Sequence, residues 1–108
     1  MKICFKPVGG PPEERDIPNT LEALQELVDG YIEVLPVGVG FLDYVVNEEG
    51  RLLGMEPNIV TPQGHVLVGP VIITADDGAE DFRALTEEEI EFCKDFLSIM
   101  EVCNGKEA

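Results

Sequence analysis

Apolar residues fall along this chain in two rhythms, one of period two and one of period three to four. Residues 2–6 (Lys-Ile-Cys-Phe-Lys) alternate, with Ile3 and Phe5 on one face, which predicts a strand. Gly9-Gly10-Pro11-Pro12 interrupts it, and residues 13–17 can return as an edge strand that its charges protect from aggregation. Leu21, Leu24, Leu27 and Val28 then recur at helical spacing, predicting a helix over Thr20–Asp29. Asn19 is its expected cap, Glu22 lies three residues on as in a capping box, and Gly30 is the expected left-handed residue at its end.

Strand character returns at 31–37 and 41–47, around a glycine turn at Gly38 and Gly40. In the second of these, Leu42, Tyr44 and Val46 share one face and Asp43 takes the other. Asn47-Glu48-Glu49-Gly50 suits a hairpin turn with positive φ at Gly50, leading into a short strand over Arg51–Gly54. Met55–Gly64 is expected to be a loop. Residues 66–74 form the most apolar run and predict a central strand, with a bulge or open edge at Gly69-Pro70 because proline cannot donate to a ladder. Residues 76–83 are expected to be an acidic loop. Thr86 and Glu89 form a second capping box, and Ile90, Cys93, Phe96, Leu97, Met100 and Cys103 make a core-facing helical stripe behind it. The order β-β-α-β-β-β-β-α predicts a single α+β domain over residues 1–108, a mostly antiparallel β-sheet with two helices packed on it. With 108 residues, 44% of them hydrophobic, there is material for one core.

Charge changes this picture most. Twenty-two acidic residues stand against seven basic ones, a formal net charge of −15. Residues 1–60 carry 11 acids and 4 bases and residues 61–108 carry 11 and 3, so no acidic tail accounts for it. Such a surface repels nucleic acid and anionic lipid and attracts basic protein grooves. The plainer account is that acidity keeps a small protein soluble. No apolar run approaches a membrane span or a signal peptide, and Cys4, Cys93 and Cys103 are too few for a disulfide framework. A cytoplasmic protein with reduced thiols is expected.

Catalytic chemistry finds little to stand on. His65 is the one histidine and Ser98 the one serine, and Ser98 falls inside the second helix, a poor place for a nucleophile. Cys93 and Cys103 sit on the apolar stripe, where a thiol is usually a small core residue. Asp76, Asp77, Glu80 and Asp81 could offer oxygen ligands to a hard cation, but their spacing is not that of a calcium loop. Gly38-Val39-Gly40 lacks the third glycine and the following helix of a dinucleotide site. No metal and no cofactor is expected. What remains is surface. Asp76, Asp77, Glu80, Asp81, Glu87, Glu88, Glu89 and Glu91 concentrate eight carboxylates within residues 76–91, beside a single Arg83. They are the candidate partner-binding residues, the bland alternative being a solvated face with helix-dipole pairing.

Four stretches carry a resemblance: Leu21-Glu-Ala-Leu-Gln-Glu-Leu-Val-Asp-Gly-Tyr-Ile-Glu33, Val46-Asn-Glu-Glu-Gly-Arg-Leu-Leu-Gly54 with Pro57-Asn58, Val68-Gly-Pro-Val-Ile72, and Leu85-Thr-Glu-Glu-Glu-Ile90. In this order they resemble a domain-of-unknown-function family common on phages, plasmids and conjugative elements of Gram-positive and gut bacteria. The resemblance brings no catalytic residues. By association it implies host takeover or counter-defence. Pro7–Pro12 and Val60–Gly64 are less typical of the family, as is the degree of acidity.

The expectation is therefore a non-enzymatic binding protein of a mobile element that inhibits or modulates a basic host defence protein, by acting as an acidic nucleic-acid mimic. It would bind neither nucleic acid directly nor membrane, and a homodimer is possible. One alternative is a sponge for a nucleotide signal, drawing local positive charge from Arg51, Arg83, Lys2 or Lys6. Others are a structural accessory and a small enzyme using His65 and the cysteines.

Overall fold

A computed structural model describes residues 1–79 and 81–102. Its elements are β1 (Lys2–Lys6), β2 (Glu13–Asp16), α1 (Leu21–Val28), β3 (Ile32–Pro36), β4 (Leu42–Asn47), β5 (Pro57–Val60), β6 (Val66–Val68), β7 (Val71–Asp76), β8 (Phe82–Arg83) and α2 (Glu87–Ile99). The main sheet runs β2-β1-β7-β4-β3. Ala75 of β7 pairs with Leu42 of β4 and with Arg83 of β8, which places β8 on the β1 side. Every pairing among the described residues is antiparallel, and β5 and β6 form a separate two-stranded sheet. The chain is thus α+β, with two helices on a mostly antiparallel sheet.

Side-chain alternation divides the sheet into two buried faces. Ile3, Phe5, Val45 and Ile72 pack with Leu24 and Val28 of α1. Cys4, Tyr44, Val46 and Ile73 face the other way and pack with Ile90, Cys93 and Leu97 of α2 and with Ile59 and Leu67 of the β5–β6 hairpin. β7 lies at the centre of both faces, so Val71 to Ala75 are all buried and the strand is apolar without alternation.

Several local expectations change. Thr20, not Asn19, caps α1, its hydroxyl accepting from the Ala23 N–H at 3.1 Å. Asn19 spends its amide on the Phe82 carbonyl at 3.2 Å. Asp29 takes the left-handed conformation (φ 63°) expected of Gly30. Gly30 is needed for a different reason: a Cβ there would lie 2.7 Å from the Asn47 side-chain nitrogen. That nitrogen donates to the Val28 and Asp29 carbonyls at 3.0 and 3.1 Å, satisfying the end of α1. In the α1 stripe Leu24 and Val28 are buried, Leu27 is half-buried and Leu21 is exposed.

The strand expected over Arg51–Gly54 is a run of turns, with Leu53 N–H on the Glu49 carbonyl and Met55 N–H on the Gly50 carbonyl, both at 2.9 Å. Positive φ falls at Gly54 (73°) rather than Gly50. The expected loop 55–64 contains β5, and the expected strand 66–74 is two strands in two sheets. Gly69 makes that switch, with φ 75° and its N–H on the Glu56 carbonyl at 2.8 Å. The acidic loop is shorter than expected, since β7 runs to Asp76 and β8 occupies 82–83. The capping box of α2 is present in full. Of its stripe, Ile90, Cys93, Leu97 and Met100 are buried and Phe96 is half-buried, while Cys103 lies outside the described residues.

Candidate functional site

The acidic stretch 76–91 joins the end of β7 to the first turns of α2, and much of its charge serves the chain itself. Asp76 accepts from the Gly78 N–H at 2.9 Å. Asp77 accepts from Ala79 at 2.8 Å and Asp81 at 3.3 Å, and Asp81 from Phe82 at 2.9 Å. These are side-chain turns that close the loop. Glu89 accepts from the Thr86 N–H at 2.9 Å and takes a two-pronged contact from Arg83 at 2.8 and 2.9 Å. The Arg83 guanidinium, with the capping bonds, pulls the Glu89 carboxyl down to about 2. Glu87 stands 3.7 Å from Lys2 and remains exposed, as do Glu88 and Glu91. Glu80 lies outside the described residues. The candidates thus divide into loop and cap formers (Asp76, Asp77, Asp81, Glu89) and outward carboxylates (Glu87, Glu88, Glu91).

Most of the described basic side chains are engaged by the chain's own groups, though Lys6 is the only one of them that is buried. Lys6 is fully buried, its ammonium on the Asn58 side-chain oxygen at 2.6 Å and paired with Glu101. Asn58 returns bonds to the carbonyls of Lys6 at 3.0 Å and Gly69 at 2.8 Å. This node fastens β1 to the β5–β6 hairpin and to the chain after α2. Lys2 pairs with Glu14 as well as Glu87, and Arg15 with Glu13 at 2.6 Å while lying over the Phe5 ring. Arg51 donates to the Val66 carbonyl at 2.7 Å. Arg51, Arg83, Lys2 and Lys6 thus each have their own partners and share none.

A cavity of about 330 Å³ lies between the β3–β4 turn and the β5–β6 tip. Leu35, Val37 and Leu67 supply apolar wall, and Thr61, Gln63 and His65 the polar rim. Thr61 accepts from the His65 N–H at 3.1 Å, which fixes the hairpin tip. Tyr44 also borders the cavity, but its hydroxyl is sealed from solvent without a hydrogen-bond partner. Burial pushes that hydroxyl's pKa up. A smaller hollow of about 140 Å³ shares Leu35 and Leu67 with it and continues past Glu33 and Val46 to Glu48, Glu49 and Arg51. Together they make one groove between β3 and β6.

Cys4 and Cys93 are buried behind β1 and α2, where desolvation holds their thiols at about 11 and about 12. At neutral pH both are protonated and poor nucleophiles. His65 stands at the exposed hairpin tip and Ser98 is exposed on α2. Among the described residues no three His, Cys, Asp or Glu side chains are grouped to hold a metal, and no helix is long and apolar enough to cross a membrane.

Two features escaped sequence reasoning. One is the Lys6–Asn58 node, whose partners are 52 residues apart and carry no local signal. The other is Asp43, which shares a sheet face with Asp76 around buried Thr74. Desolvation, then the neighbouring Asp76 carboxyl, raises Asp43 to about 6. The alternation that set Asp43 opposite Leu42 and Tyr44 was the available clue.

No curated protein and no solved structure matched the chain. Residues 1–98 match the family described as Domain of unknown function (DUF3846). That match spans β1 to nearly the end of α2, taking in the acidic stretch, the Lys6–Asn58 node and both walls of the groove, and the chain belongs to this DUF3846 family.

Proposed function

We propose that this chain is a non-catalytic acidic binding protein that docks on a basic partner. The observation that carries the reading is that five of the chain's seven cations are already engaged by its own groups. Lys2, Lys6, Arg15 and Arg83 meet the chain's own carboxylates, and Arg51 meets a backbone carbonyl. The net charge of −15 is therefore a surplus of carboxylates over cations that the chain has largely paired. Such a field speeds encounter with a positive surface and rejects anionic ones. The protonated buried thiols and the separate positions of His65 and Ser98 favour docking over turnover. The resemblance to families of mobile elements narrows the partner to a host nucleic-acid enzyme of a defence system, inhibited by occupation of its basic groove. The working compartment is then the cytosol.

The test is capture from a host lysate on the immobilised protein. A basic nucleic-acid enzyme should be retained, be displaced by duplex DNA, and be released as salt rises from about 0.1 M to about 1 M, where the screening length shrinks from about 10 Å to about 3 Å. The triple variant E87K/E88K/E91K should retain less of it. Glu89 is left intact because its loss would damage the α2 cap. Retention that ignores both salt and charge reversal contradicts the reading.

A further inference from the structure

The main sheet ends in two very different edges. β2, at one side, is Glu-Glu-Arg-Asp and exposed throughout, an edge blocked by charge. β3, at the other, is Ile-Glu-Val-Leu-Pro and, among the described residues, pairs only with β4. Its groove-side residues are Glu33 and Leu35, opposite Val46 and Tyr44 in register. Val34 points to the other face and is 43% exposed. Beside this edge runs the groove toward β6, with Leu35 and Leu67 as its shared apolar wall.

The rim of the groove is anionic. Glu33, Glu48 and Glu49 line it and are exposed, and none of the ion pairs among the described residues includes them. The one cation there, Arg51, is held on the Val66 carbonyl at 2.7 Å, where it closes part of the β6 edge and leaves β3 as the open one. An extended segment that adds to a sheet edge gains main-chain hydrogen bonds and drops alternate side chains, about 7 Å apart, to one face. Here that face holds apolar hollows bordered by carboxylates. From this geometry we infer that the free edge of β3 and the β3–β6 groove form a docking site for an extended basic segment of a partner protein, bound by strand addition with apolar and Lys or Arg residues both at its groove-facing positions. The inference deepens the acidic-binder reading and rests on it, since it assigns that partner a docking mode and a place.

Three capped seven-residue peptides test it by NMR of the labelled protein and by fluorescence anisotropy. One carries Val and Lys by turns at its odd positions with Thr between them, one is the same peptide N-methylated at every second residue, and one replaces Lys with Glu. The Val/Lys peptide should bind saturably and shift the amides of Ile32, Glu33, Val34 and Leu35. N-methylation should weaken it at least about tenfold, or about 1.4 kcal/mol, by removing the pairing N–H groups, and the Glu peptide should not bind. The surface variant E33K/E48K should fold as wild type by circular dichroism and lose about tenfold in affinity. Binding that shifts amides elsewhere, or that ignores N-methylation, overturns the groove and leaves the acidic-binder reading standing. A dimer that protects the β3 amides from exchange overturns the partner peptide in favour of a second copy. Absence of binding by the Val/Lys peptide overturns the strand-addition mode, while the salt-sensitive capture experiment decides the broader reading independently.

Discussion

The acidic stretch at the start of α2 and the acidic rim of the β3–β6 groove carry the same kind of side chain to different ends. At α2, Glu89 closes the capping box and grips Arg83, and Asp76, Asp77 and Asp81 tie their own loop. Along the groove, Glu33, Glu48 and Glu49 enter none of the chain's ion pairs among the described residues. Charge density alone therefore does not tell which carboxylates are free to meet a partner. A carboxylate already satisfied by the fold has less to offer a partner than one facing water without a counter-charge.

The comparison breaks most visibly where a charge is most completely spent. Lys6→Met leaves the buried Asn58 oxygen without its ammonium donor, while the half-exposed Glu101 turns to water, and a buried acceptor left unsatisfied is costly. Urea unfolding should show a loss of about 2 kcal/mol. A loss under about 0.5 kcal/mol, the range of an ordinary surface change, would mean the node holds nothing. Glu89→Ala comes next. It removes one half of the capping box and the Arg83 contact, and should cost about 1–2 kcal/mol by the same measurement.

Acid titration sharpens the contrast within the stretch, because two of its neighbours respond in opposite senses. Glu89 is depressed from 4.5 to about 2, so its contribution is present above pH 4.5 and is lost as pH falls toward 2. Asp43 is raised from 3.8 to about 6 by burial and by Asp76, so the folded state holds a proton that the unfolded chain releases. Its contribution is complete below about pH 4 and is lost as pH rises through 6. Wild type should therefore gain stability relative to Asp43→Asn as pH is lowered from 7 to 5, read as a shift in urea midpoint. A pH-independent difference would show that Asp43 keeps an ordinary carboxyl. The smallest effect belongs to the groove: Glu33→Lys and Glu48→Lys should each change stability by less than about 0.5 kcal/mol. A larger loss would place these carboxylates with the fold-forming set.

What the sequence disclosed follows the range of the physics involved. Local signals were readable: the helical stripes, the Thr86–Glu89 box, the alternation of β1 and β4, and the apolar run of β7. Signals shared between neighbours were read less well. Asn19 and Thr20 are both good caps, and only the distant Phe82 carbonyl, which occupies Asn19, separates them. Arg51–Gly54 had strand-like composition, yet Leu52 and Leu53 both face solvent (86% and 59% exposed), so no buried face organised them as a strand. The β5–β6 hairpin was the largest omission. Pro57 and Asn58 argue for a loop locally, and what makes them a strand is Asn58 bridging Lys6 and Gly69. Lys6, a candidate from its residue type for the positive charge of a ligand pocket, is instead buried by its position between β1 and the hairpin. At the candidate site, the sequence located the carboxylates but not which of them the fold consumes.

The account stands on outward carboxylates drawing in a basic partner. Its most direct test is the dissociation constant of the retained partner measured across salt concentrations. Affinity should fall steeply as the screening length contracts, and E87K/E88K/E91K should flatten the dependence. Affinity that stays constant across that range, with the charge-reversed protein binding as tightly as wild type, would contradict it.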